Sequence, residues 1–244
     1  MTDLPSCRCF LEGDLVPGEC ILPEEESRHL TRVRRLGAGD RVRVLNGVGG
    51  EADARIVSVD RHHAVLEVED VRQVPQSLPE VTLVMGALKQ SAWDELLPHL
   101  VELGVSRLIR WQSRHAVSDI AQDKRTAKQR RWRERLIQAS KQSANPWLPE
   151  LCWADTQAEL QTALPQDGRH LLASLSGTPI PFRDWKPGKV TQPLVAWVGP
   201  EGDFTQEEMD WICTNFDAES ISLGRNILRA ETAALALITL LRLG

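Results

Sequence analysis

The sequence predicts an α/β protein in two parts, a β-rich domain over 1–73 and a parallel sheet covered by helices over 79–244. Three observations predict it. Polar and apolar residues alternate through 41–47, 52–60 and 63–71, the period of half-buried strands. A stretch with two prolines, 71–80, then breaks the pattern and reads as a linker. Beyond it, short apolar runs alternate with helical segments, an order that gives a parallel sheet between helix layers.

The elements follow in order. Cys7 and Cys9 alternate with Arg8 as a strand would. "PEEESRHLTRVRRLG" (23–37) reads as a helix, with acids in its first turn, arginines near its end and Gly37 past it. Asn46 to Gly50 is a glycine-rich hairpin link. Gly47, Gly49 and Ala52 formally fit a dinucleotide fingerprint, but that motif must open a helix, and a strand pattern follows here. After the linker come a buried strand "VTLVMGAL", a helix "AWDELLPHLVELG" despite Pro98, and a strand "RLIRWQS". A long basic helix stops at Pro146, "ELCWA" is a strand, and Asp155 is the expected cap of "DTQAELQTAL". "HLLASLS" and "PLVAWV" are strands, Thr205 and Glu208 make a capping box, and "SISL" precedes the terminal helix.

Composition narrows the class. At 42% hydrophobic and 26% charged, the chain has ordinary globular material and ample core. Its longest apolar run falls short of the roughly 20 residues of a membrane span, and no signal-peptide pattern opens it. Five cysteines without C-x-x-C point to reduced thiols in a cytoplasmic protein, with neither a disulfide framework nor a metal site. The net charge of −5 conceals segregation. Between Arg107 and Lys141 eleven Lys/Arg face three acids, and between Arg28 and Arg43 six face one. Two basic segments on an acidic protein suggest a polyanion partner. The candidate polyanion contacts are Arg32, Arg34 and Arg35 in the first domain, and Arg130, Arg131 and Arg135 in the second.

Ligands of open parallel sheets bind beyond the carboxyl ends of the strands, so the loops after Ser176, Val198 and Leu223 carry the chemistry. Gly199-Pro200-Glu201-Gly202-Asp203 permits a sharp turn and a close backbone approach. Its acids oppose a phosphate and suit a neutral or cationic ligand. Arg229 and Glu231 flank the start of a helix that is apolar all round. Such a helix must be buried on every side, which at a chain end suggests a second subunit.

"VGPEGDF" followed by "LGRNILRAETAAL" resembles the signature loops of the SPOUT methyltransferases, and within them the RsmE family. The resemblance covers nearly the whole chain. "RHLTRVRRLGAGDRVRVLNGVGGEADARI" is similar to that family's PUA-like RNA-binding barrel, and "LVELGVSRLI" and "RWRERLIQASKQS" match in place and spacing. It implies methylation of N3 of one uridine in small-subunit ribosomal RNA, a C-terminal trefoil knot and a homodimer. It also implies S-adenosylmethionine held by Leu175, Val198, Gly199, Pro200, Glu201, Gly202, Leu223, Gly224, Ile227, Leu228 and Thr232, with Arg229, Glu231 and Asn226 as catalytic residues. No metal is implied. Four positions depart from the family pattern: Asp203 where glycine is usual, Lys141 and Asn145 in the 141–145 segment where an acid and an arginine are usual, and His99 in place of a lysine. Two further readings stay open, a SPOUT methyltransferase for another nucleotide and a non-catalytic RNA-binding or ribosome assembly factor.

Overall fold

The computed structural model describes residues 7–60, 62–117, 120–185 and 190–243, the last without its side chain. Contacts divide the chain into two units. One comprises residues up to Gln76 together with Ile137–Leu148, and the other Ser77–Leu136 together with Pro149 onward.

The first unit is a five-stranded sheet. β1 (Arg8–Phe10), β3 (Arg41–Leu45), β4 (Gly50–Val59), β5 (Ala64–Gln73) and β2 (Gly18–Ile21) lie in that spatial order, with only β1 and β3 parallel. The alternation seen in sequence becomes burial. Ala52, Ala54 and Ile56 of β4 and Ala64, Leu66 and Val68 of β5 point into the core with Cys9, Leu22 and Leu30. Asn46 organises the β3–β4 link, its Oδ1 accepting from the backbone N–H groups of Val48 (3.0 Å) and Gly50 (2.7 Å). The 23–37 segment is shorter and less regular than its pattern predicts. α1 (Glu24–Arg28) passes into a π-helical turn, His29–Val33, and Arg35 at φ 58° turns the chain two residues before Gly37. β1 falls where Cys7 and Cys9 alternate, whereas β2 escaped the pattern reading because four residues carry too little periodicity.

Residues 137–148 bind this unit through a buried ion pair. Lys141 Nζ lies 2.5 Å from Glu26 Oε1, while Glu26 Oε2 accepts from Phe10 N at 3.0 Å. Trp147 Nε1 donates to the Val74 carbonyl at 3.0 Å. The departure at Lys141 is thus half of an internal pair.

In the second unit all the strands are parallel. The spatial order is β10 (Ile180–Pro181), β12 (Glu219–Ser222), β9 (Arg169–Ala173), β11 (Leu194–Val198), β6 (Val81–Gly86), β7 (Arg107–Trp111) and β8 (Glu150–Ala154). Every residue of the central strands β6 and β11 is buried, as strands covered on both faces require. The helices are α2 (Gln90–Glu102), α3 (Gln122–Ser143, whose residues from Ile137 on belong to the first unit), α4 (Gln157–Ala163), α5 (Gln206–Phe216) and α6 (Ala230–Leu243). α4 is capped by Thr156 rather than Asp155, because Thr156 sits three residues before Glu159 and closes a reciprocal box with it. α5 starts with the expected Thr205–Glu208 box. Pro98 leaves the Asp94 carbonyl inside α2 without its usual N–H, and Arg135 Nη1 donates to it at 3.3 Å. α6 packs on β11, β6 and α2, and Arg242 near its end donates to the carbonyls of Ser77, Pro79 and Gly104. No helix among the described residues is long and apolar enough to cross a membrane.

Candidate functional site

At the carboxyl ends of β6, β9, β11 and β12 four loops enclose a cavity of about 620 Å³. The turn after β11 forms one wall. Gly199 and Pro200 are buried in it, and Asp203 N donates to the Pro200 carbonyl at 2.9 Å. A Cβ on Gly199 would stand 2.4 Å from Asp203 Oδ1 and 2.8 Å from Phe204 N, so only glycine fits. Gly86 is constrained in the same way, since its Cβ would meet Pro200 Cδ at 2.4 Å. Asp203 adopts φ 59°, a left-handed conformation that aspartate tolerates better than most residues, and its Oδ1 accepts from Phe204 N at 2.8 Å.

The opposite wall is the loop after β12. Leu223, Gly224, Asn226, Ile227 and Leu228 line the cavity, as do Arg229 and Glu231 at the start of α6. Leu175 contributes from the loop after β9, beside buried Ser174, whose Oγ accepts from Ser176 N at 3.0 Å. The three catalytic candidates Asn226, Arg229 and Glu231 therefore meet at one cavity. So do Leu175, Val198, Gly199, Pro200, Glu201, Leu223, Gly224, Ile227 and Leu228 of the cofactor set. Gly202 and Thr232 do not line it. The Cβ direction of Gly202 faces His115, 3.2 Å away, and Thr232 is exposed on α6.

Sequence reasoning missed one wall. Lys89, Ser91, Ala92 and Glu95, at the start of α2, also line the cavity, and Glu201 Oε1 lies 3.5 Å from Lys89 N. The signal was present, because "VTLVMG" ends in a loop at the same edge of the sheet. Charged groups around the cavity are Glu95, Glu201, Asp203 and Glu231 against Lys89 and Arg229, an acidic excess. Arg229 and Glu231 make no ion pair with a described residue.

The basic candidates fare unequally. Arg32, Arg34 and Arg35 are exposed with no carboxylate partner among the described residues. Arg131 and Arg135 instead converge on Asp94, at 2.9 and 3.6 Å, where Lys128 also lies at 3.6 Å. Arg130 is exposed and 3.9 Å from Glu134. Trp93 and Trp132 are core residues, packed 5.3 Å apart.

The family model described as an RNA methyltransferase domain matches residues 75–242, and that of an RNA methyltransferase PUA domain matches 22–69. The chain is 28% identical to the ribosomal RNA small subunit methyltransferase E of Synechocystis sp., over 90% of this chain and 71% of the relative. It is 26% identical to the protein of the same name from Rickettsia conorii, over 91% and 88%. Among solved structures, the ribosomal RNA small subunit methyltransferase E of Neisseria gonorrhoeae bound to S-adenosyl methionine superposes with a TM-score of 0.82. It is 25% identical and covers 95% of both chains.

Proposed function

The chain belongs to the RNA methyltransferase family, and from that premise we propose that it is an S-adenosylmethionine-dependent enzyme methylating N3 of a uridine in small-subunit ribosomal RNA. The observation that carries this reading is the cavity itself. Its wall at Gly199 admits no Cβ, its rim is acidic, and the 199–203 turn carries none of the Lys and Ser/Thr pattern of a phosphate loop. Those features suit a cationic ligand. The residues fit the cofactor: Leu175, Val198 to Glu201, Leu223, Gly224, Ile227 and Leu228 would hold it. When bound, it supplies an electrophilic methyl on a sulfonium.

The chain's own part is to bind, orient and exclude water. N3 lies on the Watson–Crick edge, so the base enters unpaired or flipped. Arg229, exposed at the cavity and without an ion pair among the described residues, stabilises the negative charge that develops on the uracil oxygens as the N3 proton passes to solvent. Asn226 hydrogen-bonds the base. Glu231, not engaged by Arg229, takes the cofactor's amino group.

RNA affinity comes mainly from Arg32, Arg34 and Arg35. Removing these three charges lowers the slope of log affinity against log salt by about 2, at roughly 0.7 per phosphate contact. An unchanged slope would remove them from the interface.

Two features of the family fold belong to the same reading. A trefoil knot is supported by the path of the chain, which leaves β12 near one edge and returns in α6 to pack on β11 and β6. A homodimer through α6 is supported by Leu240, which stays 36% exposed on an otherwise apolar helix. The substrate puts the protein in the cytoplasm. The test is methylation of small ribosomal subunits lacking the modification, with nucleosides read by mass spectrometry. Appearance of 3-methyluridine is expected, and another methylated nucleoside would move the target while keeping the class.

A further inference from the structure

The segment after β7, residues 112–117, belongs to none of the motifs above, and none of its residues lines the cavity. It is nevertheless tied to two of the cavity's walls. Val117 N donates to the Ala87 carbonyl at 2.9 Å, two residues before Lys89. Arg114 N donates to Glu208 Oε1 at 2.8 Å, while Glu208 Oε2 accepts from Thr205 N at 2.9 Å. Between these ties, His115 Nδ1 lies 3.1 Å from the carbonyl oxygens of both Gly202 and Asp203. Two carbonyls can only accept, so the proton resides on Nδ1 and the imidazole donates a shared hydrogen bond into the turn.

The turn has reason to need this contact. Gly202 lets the ring lie close, since a Cβ there would already stand 3.2 Å from His115 Cβ. Asp203 holds a left-handed conformation, and a sparsely populated backbone state persists when surrounding contacts fix it. The two carbonyls that His115 engages belong to the residues around that strained point. Glu208 cannot replace it, because among the described residues its carboxylate reaches only Arg114 and Thr205 on either side, and a carboxylate has no proton to donate to the two carbonyls.

We propose that His115 is a positioning residue, whose Nδ1 hydrogen bond to Gly202 and Asp203 fixes the 199–204 turn in its ligand-holding shape. Its effect on cofactor binding rests on the functional reading above. Its effect on the turn does not.

The experiment compares the full chain with His115→Ala and His115→Asn, the second keeping a donor near the position of Nδ1. Hydrogen–deuterium exchange of the 201–205 segment is measured without cofactor, and affinity, KM and kcat for the cofactor are measured alongside. His115→Ala is expected to exchange faster there and to bind cofactor about five- to tenfold more weakly, the size of one lost hydrogen bond. Its kcat at saturating cofactor stays within about twofold, its melting temperature falls by no more than about 4 °C because the ring is exposed, and His115→Asn recovers most of the affinity. Unchanged exchange and affinity in His115→Ala, or an Asn variant as weak as Ala, would overturn the proposal. Should the unaltered chain bind no cofactor, the functional reading falls, and the exchange comparison alone decides the role of His115.

Discussion

The two long walls of the cavity are built differently. The 199–205 turn is dense: Gly199, Pro200 and Phe204 are buried, and hydrogen bonds from Asp203, Phe204, His115 and the Thr205–Glu208 box close it on itself. The 223–229 loop is open. Gly224 to Ile227 are all exposed, Ile227 at 84%, and among the described residues its side-chain bonds reduce to Ser222 Oγ with Gly224. One wall is shaped before any ligand arrives. The other has few contacts to hold it, which is where low local stability is expected. In the proposed reading the closed wall selects shape and the open one carries the reacting side chains.

Arg229→Ala breaks the comparison most sharply. Loss of a charge-stabilising donor should lower methyl transfer about 10²- to 10³-fold while cofactor affinity moves little. Single-turnover rates with a binding titration check this, and an equal loss in both would return Arg229 to the binding set. On the closed wall the expected effect is the reverse. Gly199→Ala forces a Cβ against Phe204 N, and overpacking of this kind weakens cofactor binding about ten- to hundredfold by calorimetry.

The contrast itself can be sharpened by hydrogen exchange with and without S-adenosylmethionine. Residues 224–228 should gain protection of about tenfold, and 199–205 much less, because only the open loop has order left to acquire. Equal gains on both walls would mean that the closed wall is not preformed.

The smallest effect concerns what lies beneath the closed wall. Trp197, two residues before Gly199, donates its Nε1 proton to His170 Nδ1 at 3.0 Å, and burial pulls that imidazole down to about 4. The folded state therefore keeps His170 neutral where the unfolded chain, near 6.5, already takes a proton. Stability from this group is intact above about pH 6.5 and is lost as pH falls toward 4. The melting temperature should decline across that window, and less steeply in His170→Gln, which has no charge to gain. A parallel decline in both would assign it to other groups.

The walls also differ in how legible they were. Glycines, a proline and acids after an apolar strand mark the 199–203 turn in any reading of the sequence, and the order of strands and helices told where to look. What fell outside was whatever depends on partners distant in sequence. The start of α2 joins the cavity because β6 is hydrogen-bonded to β11, a pairing across more than a hundred residues. Gly202 and Thr232 sat inside their motifs and yet do not line the cavity, because a motif gives proximity along the chain but not direction. Arg131 and Arg135 looked like free cations until Asp94, on another helix, came beside them. Lys141 looked like a bare departure from the family pattern until Glu26 came beside it.

By itself, then, the sequence determined the local facts: which segments alternate, where helices begin, which turns demand glycine, and where charge accumulates. These depend on residues within a few positions of one another, and their signals survive without a fold. The tertiary structure alone decided which loops share a cavity, which charges neutralise each other, and which imidazole lies against the 199–204 turn. Those are properties of strand order and side-chain direction, and no local pattern encodes them.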